Sequence, residues 1–205
     1  CEAPAMSAET LAAVAVALGA GWASGLNTYA AVLVLGVAQW LGFVALPQDL
    51  QVLASPWVMG VAALLFALNF FADKIPYVDS INDALQTFVR IPAGFLLAYA
   101  AATGLSPEIA VIAGLLGGTL AVGTHVAKTG SRALINTSPE PFSNVAASFG
   151  EDVTVIGGLA LAIAYPITFL CLLAVFVLLL IWMLPRLIRL AMTPFRRLAR
   201  GRQGP

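Results

Sequence analysis

The sequence predicts an all-α fold, a polytopic transmembrane helical bundle with broken helices, and three observations lead there. Hydrophobic residues make up 60% of the 205 residues and charged ones 10%, with a mean hydropathy of +0.95. Soluble domains carry roughly 25% charged residues. A chain this apolar cannot coat a water-facing surface, so lipid is its natural solvent. The apolar runs are also long enough to cross a bilayer. Finally, charge is gathered into two polar islands, 71–94 and 125–152, and a basic tail that holds Arg186, Arg189, Arg196, Arg197, Arg200 and Arg202. Before Arg186 the chain has all its acidic residues and only Lys74, Arg90, Lys128 and Arg132 as bases.

The sequence divides into an N-terminal tail (1–7), one membrane domain (8–185) and the basic tail (186–205). Cys1 stands where an initiator Met is expected. It reads as a processed terminus, a lipidated one, or a remnant of a leader ahead of Met6. The first apolar run lacks a basic flank and is too long for a cleavable signal. Cys171 lies in an apolar run and reads as a small hydrophobe.

The first segment, 8–46, opens on Ser7 as N-cap with Glu9 in the first turn. At about 39 residues it would span ~58 Å as a helix, well beyond the hydrocarbon core. It must tilt, break or fold back, and Ser24-Gly25-Leu26-Asn27 is the candidate break, since Gly loosens a helix and Asn bonds nearby backbone. A loop at 47–49 follows. Ser55-Pro56 starts the second segment, with Pro at a favoured first-turn position. It ends at Ala72-Asp73-Lys74-Ile75-Pro76, because a proline drives the preceding residue out of helix. Asp79 or Ser80 then caps a third segment through Arg90 to about 102, with Pro92 inside it.

Ser106-Pro107-Glu108 opens the fourth segment, whose Gly114, Gly117, Gly118 and Gly123 permit close helix packing. The second island follows. The last run, 153–184, is too long for one straight span and carries Tyr165-Pro166 near its middle. If it is one span there are five in all. If it turns at Pro166 there are six, and Lys74, Arg90, Lys128, Arg132 and the tail arginines all lie toward one side. The positive-inside rule favours six, with both termini cytoplasmic in a bacterial inner membrane. Six spans also fit a faint inverted repeat of 8–102 and 106–185, built from matching Ser-x-Glu starts, polar breaks and Ser-Pro pairs. Inverted repeats with broken helices belong to transporters.

Ionisable groups inside a membrane are costly and face a bundle interior or cavity. Asp83, Arg90, His125, Lys128, Arg132, Glu151 and Asp152 are therefore the candidate binding residues. Arg90 either binds an anionic group or gates a path, or it pairs with Asp83, Glu151 or Asp152 and holds the bundle together; Asp83 lies two turns back on the same face. His125 can carry protons near neutral pH. Asp73, Lys74, Asn27 and Asn144 read as structural or interfacial, with Asp73 to Asp79 an ordinary interfacial turn. No phosphate loop, His-Glu-x-x-His, Cys-x-x-Cys or Gly-x-Ser-x-Gly occurs. No enzyme activity, metal, cofactor or nucleic-acid partner is expected. The bilayer is the expected partner, with anionic lipid at the tail arginines and other membrane subunits or a second copy of the chain.

Gly25-Leu26-Asn27, Ala72-Asp73-Lys74-Ile75-Pro76, Arg90-Ile91-Pro92-Ala93-Gly94 and the Asn144 to Glu151-Asp152 stretch resemble a family of small bacterial integral-membrane proteins catalogued as a domain of unknown function. The Asp-Lys-x-Pro and Arg-x-Pro-x-Gly elements are its most specific parts, and the likeness covers roughly 11–181. It implies a multi-span helical domain with no settled activity. The residues themselves suggest a small transporter- or channel-like protein for an anionic solute or lipid head group. Their rival reading is a non-catalytic accessory or scaffold subunit.

Overall fold

The computed structural model describes residues 7–75, 77–135 and 141–201, with side chains except at 133, 141 and 184–201. Residues 1–6 of the N-terminal tail, Asn136 and the Ser138-Pro139 pair of the repeat lie outside the described residues. So do the side chains of the arginine tail. Two compact units divide the chain: one extends to Leu170 and the other starts at Cys171.

Among the described residues the structure is helical and has no strand. The elements are α1 (Ala8–Trp40), a 3-10 helix (Gln48–Ala54), α2 (Pro56–Ala72), α3 (Val78–Ala102), α4 (Pro107–Ile135), α5 (Pro141–Ala164) and α6 (Pro166–Gly201). Ser7 caps α1 by accepting from the Thr10 N–H at 3.1 Å. Gly42 at φ 75° ends it, its N–H donating to the Gln39 carbonyl and the Phe43 N–H to that of Ala38, earlier than the apolar run suggests. Asn27 is extended (φ −155°, ψ 99°) inside α1, so the helix breaks at the expected place. Its Oδ1 accepts from the Ala30 N–H at 3.1 Å and caps the second half.

The third segment starts one residue before the expected cap. Tyr77 adopts φ 70°, which turns the chain at that point, and α3 begins at Val78. Asp79 accepts instead from the adjoining Ser80 N–H at 2.6 Å. Pro92 lies inside α3. Ser106 starts α4 by accepting from the Ile109 N–H. Tyr165 separates α5 from α6 at the expected Pro166.

α1 is the central helix of the first unit and packs on α3, α4 and α5, while α3 and α4 form the closest pair. Backbones meet where glycine permits it. A Cβ on Gly21 would overlap the backbone of Gly117 in α4, and one on Gly25 would overlap Thr124 and the Ala121 carbonyl. Small residues of this kind let membrane helices gain dispersion contact that lipid would otherwise supply. Among the described residues, five helices are long and apolar enough to cross a membrane: α1, α3, α4, α5 and α6 as far as Met183. A sixth is reached if the 3-10 helix and α2, bent by 66°, count as one span. The chain is a multi-pass membrane protein.

Candidate functional site

α3 shows how charge is kept from lipid. Phe88 is 82% exposed, and Arg90, two residues on, is 1% exposed. Residues two apart point roughly 200° apart around a helix. The apolar face therefore meets lipid and the charged face turns into the bundle, as intramembrane ionisable groups require.

The break in α1 adjoins the resulting network. Because Asn27 Oδ1 takes the Ala30 N–H, the Leu26 carbonyl is available to Lys128 Nζ at 3.4 Å. Asn27 Nδ2 donates to Asp152 Oδ1 at 3.1 Å. Lys128, three turns from the Gly117 contact on α4, joins four elements. Its Nζ lies 2.8 Å from Asp73 Oδ2, 3.3 Å from Asp83 Oδ1 and 3.2 Å from Glu151 Oε2.

Arg90 Nη1 pairs with Asp83 Oδ1 at 2.8 Å, and Nη2 donates to Asn69 Oδ1 at 3.4 Å. Nη1 also lies 3.3 Å from His125 Nδ1. Arginine only donates, so Nδ1 is the acceptor and His125 carries its proton on Nε2. That Nε2–H donates to Thr87 Oγ1 at 2.7 Å, and Thr87 passes its own proton to the Asp83 carbonyl at 3.0 Å. Arg132 grips Glu151 with two parallel bonds, Nε to Oε1 at 2.9 Å and Nη2 to Oε2 at 2.8 Å. Its Nη1 donates to the carbonyls of Asp73 and Asn144 and to Asn144 Oδ1.

Asp73 is 3% exposed, which corrects its reading as an ordinary interfacial residue. Besides Lys128 it accepts from Asn69 Nδ2 at 3.1 Å and Asn82 Nδ2 at 3.0 Å. Burial raises its carboxyl, but the charge and hydrogen bond of Lys128, with Arg90 and Asn82, outweigh that and hold it below the ordinary carboxylate range. Asp79 is buried as well. Lys74 is half-buried at the edge. Its Nζ sits 2.8 Å from the Phe70 ring centre and 4.5 Å from that of Phe149, and donates to Ser148 Oγ at 3.3 Å. Burial lowers its ammonium below the ordinary lysine value, against the pull of Asp152 and Asp73.

Six of the seven candidate binding residues thus lie in one bonded network drawn from α3, α4 and α5, which Asp73 and Asn144 join, and Asp152 lies beside it, paired with Asn27. Asn82, Thr87 and Ser148 are members that sequence reasoning passed over, whereas Asn69, like Asn27, reads from sequence as a residue that lines a cavity or bonds across helices. Its i,i+4 spacing to Asp73 at the end of an apolar helix is a further signal. Among the described residues, four buried side-chain atoms have no hydrogen-bond partner: Asp83 Oδ2, Asp152 Oδ2, Gln86 Oε1 and Asn144 Nδ2. Among the described residues, no group of three His, Cys, Asp or Glu is spaced to hold a metal ion. An apolar cavity of about 630 Å³ lies elsewhere, between α1 and α5, lined by Leu33, Val37, Phe43, Ile156 and Ile163 among others.

No curated protein and no solved structure matches the chain. A family model does match, over residues 14–186, a stretch that contains the entire network. The chain belongs to that family, which is described as a domain of unknown function (DUF4126).

Proposed function

We propose that this membrane protein is transporter-like and passes a proton or small cation through the buried network. One observation carries the reading. Arg90, Lys128 and Arg132 each have a carboxylate within 3.3 Å, yet Asp83 and Asp152 keep a carboxylate oxygen without a partner beside the α1 break. A buried oxygen left so is costly, and the cost is relieved by a proton, a cation or an ordered water. Spare acceptors suit a positive species better than the anionic solute or lipid head group that Arg90 alone suggests. Broken helices with carbonyls turned to the site support the same class. In this reading the half-repeats 8–102 and 106–185 both contribute: Asn27, Asp73, Asp83 and Arg90 from one, His125, Lys128, Arg132, Glu151 and Asp152 from the other. The basic ends lie on the cytoplasmic side of a bacterial inner membrane, with both termini there.

The test is reconstitution into liposomes that hold a pH-sensitive dye, under an imposed potential. Asp83→Asn and Asp152→Asn should each slow proton flux about tenfold or more, a barrier change of ~1.4 kcal/mol. Phe88→Leu, on the lipid face, should leave it unchanged. Flux equal to wild type in both carboxylate variants sinks the proposal. Chloride or phosphate flux lost only in Arg90→Ala would restore the anion reading. The close pairing of all three cations also favours the rival, a scaffold subunit stapled internally. That rival predicts no flux and co-purification with a larger membrane complex.

A further inference from the structure

We infer that the Lys128 ammonium occupies a monovalent-cation site, as a cation tethered to α4 in the place a free one would take. The inference starts from the oxygens. Asp73 Oδ2, Asp83 Oδ1, Glu151 Oε2 and the Leu26 carbonyl all lie between 2.8 and 3.4 Å from Lys128 Nζ. They come from the α2–α3 turn, α3, α5 and the break in α1. An ordinary ion pair needs one carboxylate. Here three converge on one ammonium with a backbone carbonyl from an unwound helix, and unwound carbonyls are among the groups by which membrane proteins hold small cations.

Asp83 adds a second, independent sign. Its side chain is 1% exposed and its Oδ2 has no partner, so the site has acceptor capacity beyond what Lys128 uses. The neighbouring charges leave room for one cation. Arg90 is bound to Asp83 and Arg132 to Glu151, which leaves Asp73 as the carboxylate whose charge Lys128 balances. Distances of 2.8–3.4 Å suit an ammonium. The small residues around the α1 break allow α4 to lie close enough for a lysine stem to reach across, since Gly25 contacts Thr124 one turn before Lys128. The functional meaning rests on the transport reading above: a tethered cation holds the position against free ions and leaves only a proton able to come and go.

The experiment uses the full chain in mild detergent. Lys128→Ala should unfold at a lower temperature than wild type in a buffer whose only cation is the bulky N-methylglucamine. Added ammonium should raise the Tm of the variant, by about 3–6 °C at roughly ten times its dissociation constant. Wild type, its site filled, should respond little. Should Lys128→Ala be unrecoverable, Lys128→Ala/Asp73→Asn restores the charge balance. It should fold without ammonium and gain less from it. A folded Lys128→Ala that ignores ammonium overturns the inference, as does a double variant no better recovered than the single. The two proposals fail separately. Ammonium rescue without wild-type proton flux removes transport and keeps the cation site; flux without rescue does the reverse.

Discussion

Asn27 donates to Asp152 across 3.1 Å and joins the break in α1 to the middle of α5. The same side chain accepts from the Ala30 N–H. One amide therefore does two jobs: it caps a half-helix and holds a buried carboxylate. Asn27→Ala should lose both. The cap is worth about 1 kcal/mol, and a buried oxygen stripped of its donor costs about 1–3 kcal/mol. Thermal unfolding in detergent should show the sum, about 2–4 kcal/mol. Asn27→Asp keeps the cap but sets two carboxylates together, so adding Asp152→Asn should recover stability. An Asn27→Ala variant as stable as wild type would show that the break needs no side chain to hold it.

The glycine contacts give a sharper test of packing. A Cβ on Gly117 would overlap that of Ala98 and come within 2.8 Å of the Gly94 carbonyl. α3 and α4 would have to separate, and overpacking of this kind costs about 1–3 kcal/mol. Nothing lies within 4 Å of a Cβ built on Gly157 of α5. Gly117→Ala should therefore lower the unfolding temperature, and Gly157→Ala should hold or raise it, since alanine favours helix by about 1 kcal/mol over glycine. Equal effects at the two positions would count against the close α3–α4 approach.

The membrane fold was legible because it depends on composition and run length, which no tertiary contact can override. The place of the break at Asn27 was legible too, since an apolar run of that length must tilt, fold back or break and one stretch had the residues for a break. Asp73 was not. From sequence it looks like the polar end of an apolar helix, and nothing local distinguishes an interfacial carboxylate from a buried one. Its burial depends on Lys128, 55 residues on, and that pairing is set by how α4 packs on α1. Arg90 was half legible: spacing puts Asp83 on its face, but Glu151 and Asp152 were equally open as partners, and His125 and Asn69 reach it only through the fold.

Asp73 also gives a pH signature. Its folded pKa lies below its ordinary value, because Lys128, Arg90 and Asn82 together outweigh the opposing effect of burial. A carboxyl depressed in the folded state adds stability above its unfolded pKa, about 3.9. That contribution is lost as pH falls through the folded value. The stability gap between wild type and Asp73→Asn should therefore be constant near neutrality and shrink below about pH 4. A gap unchanged through that range would mean that Asp73 contributes by shape alone.

Arg132 tests whether geometry or charge holds the α4–α5 side of the network. Its Nε and Nη2 take the two oxygens of Glu151, and its Nη1 reaches the carbonyls of Asp73 and Asn144. A planar fork can meet these groups at once, whereas a lysine ammonium offers three donors from one point. Arg132→Lys keeps the charge and should still cost about 2 kcal/mol, the loss of bonds to charged and buried acceptors. Arg132→Gln also removes the charge and should cost about 3–5 kcal/mol, as breaking a buried pair does. Lys128 at 3.2 Å from Glu151 Oε2 moderates both losses. Adding Glu151→Gln to Arg132→Gln should cost less than the two single changes summed, because the second removes a carboxylate the first left short of a partner. Arg132→Lys indistinguishable from wild type in the same melts would mean that charge alone is enough at this position, and that the fork contributes nothing.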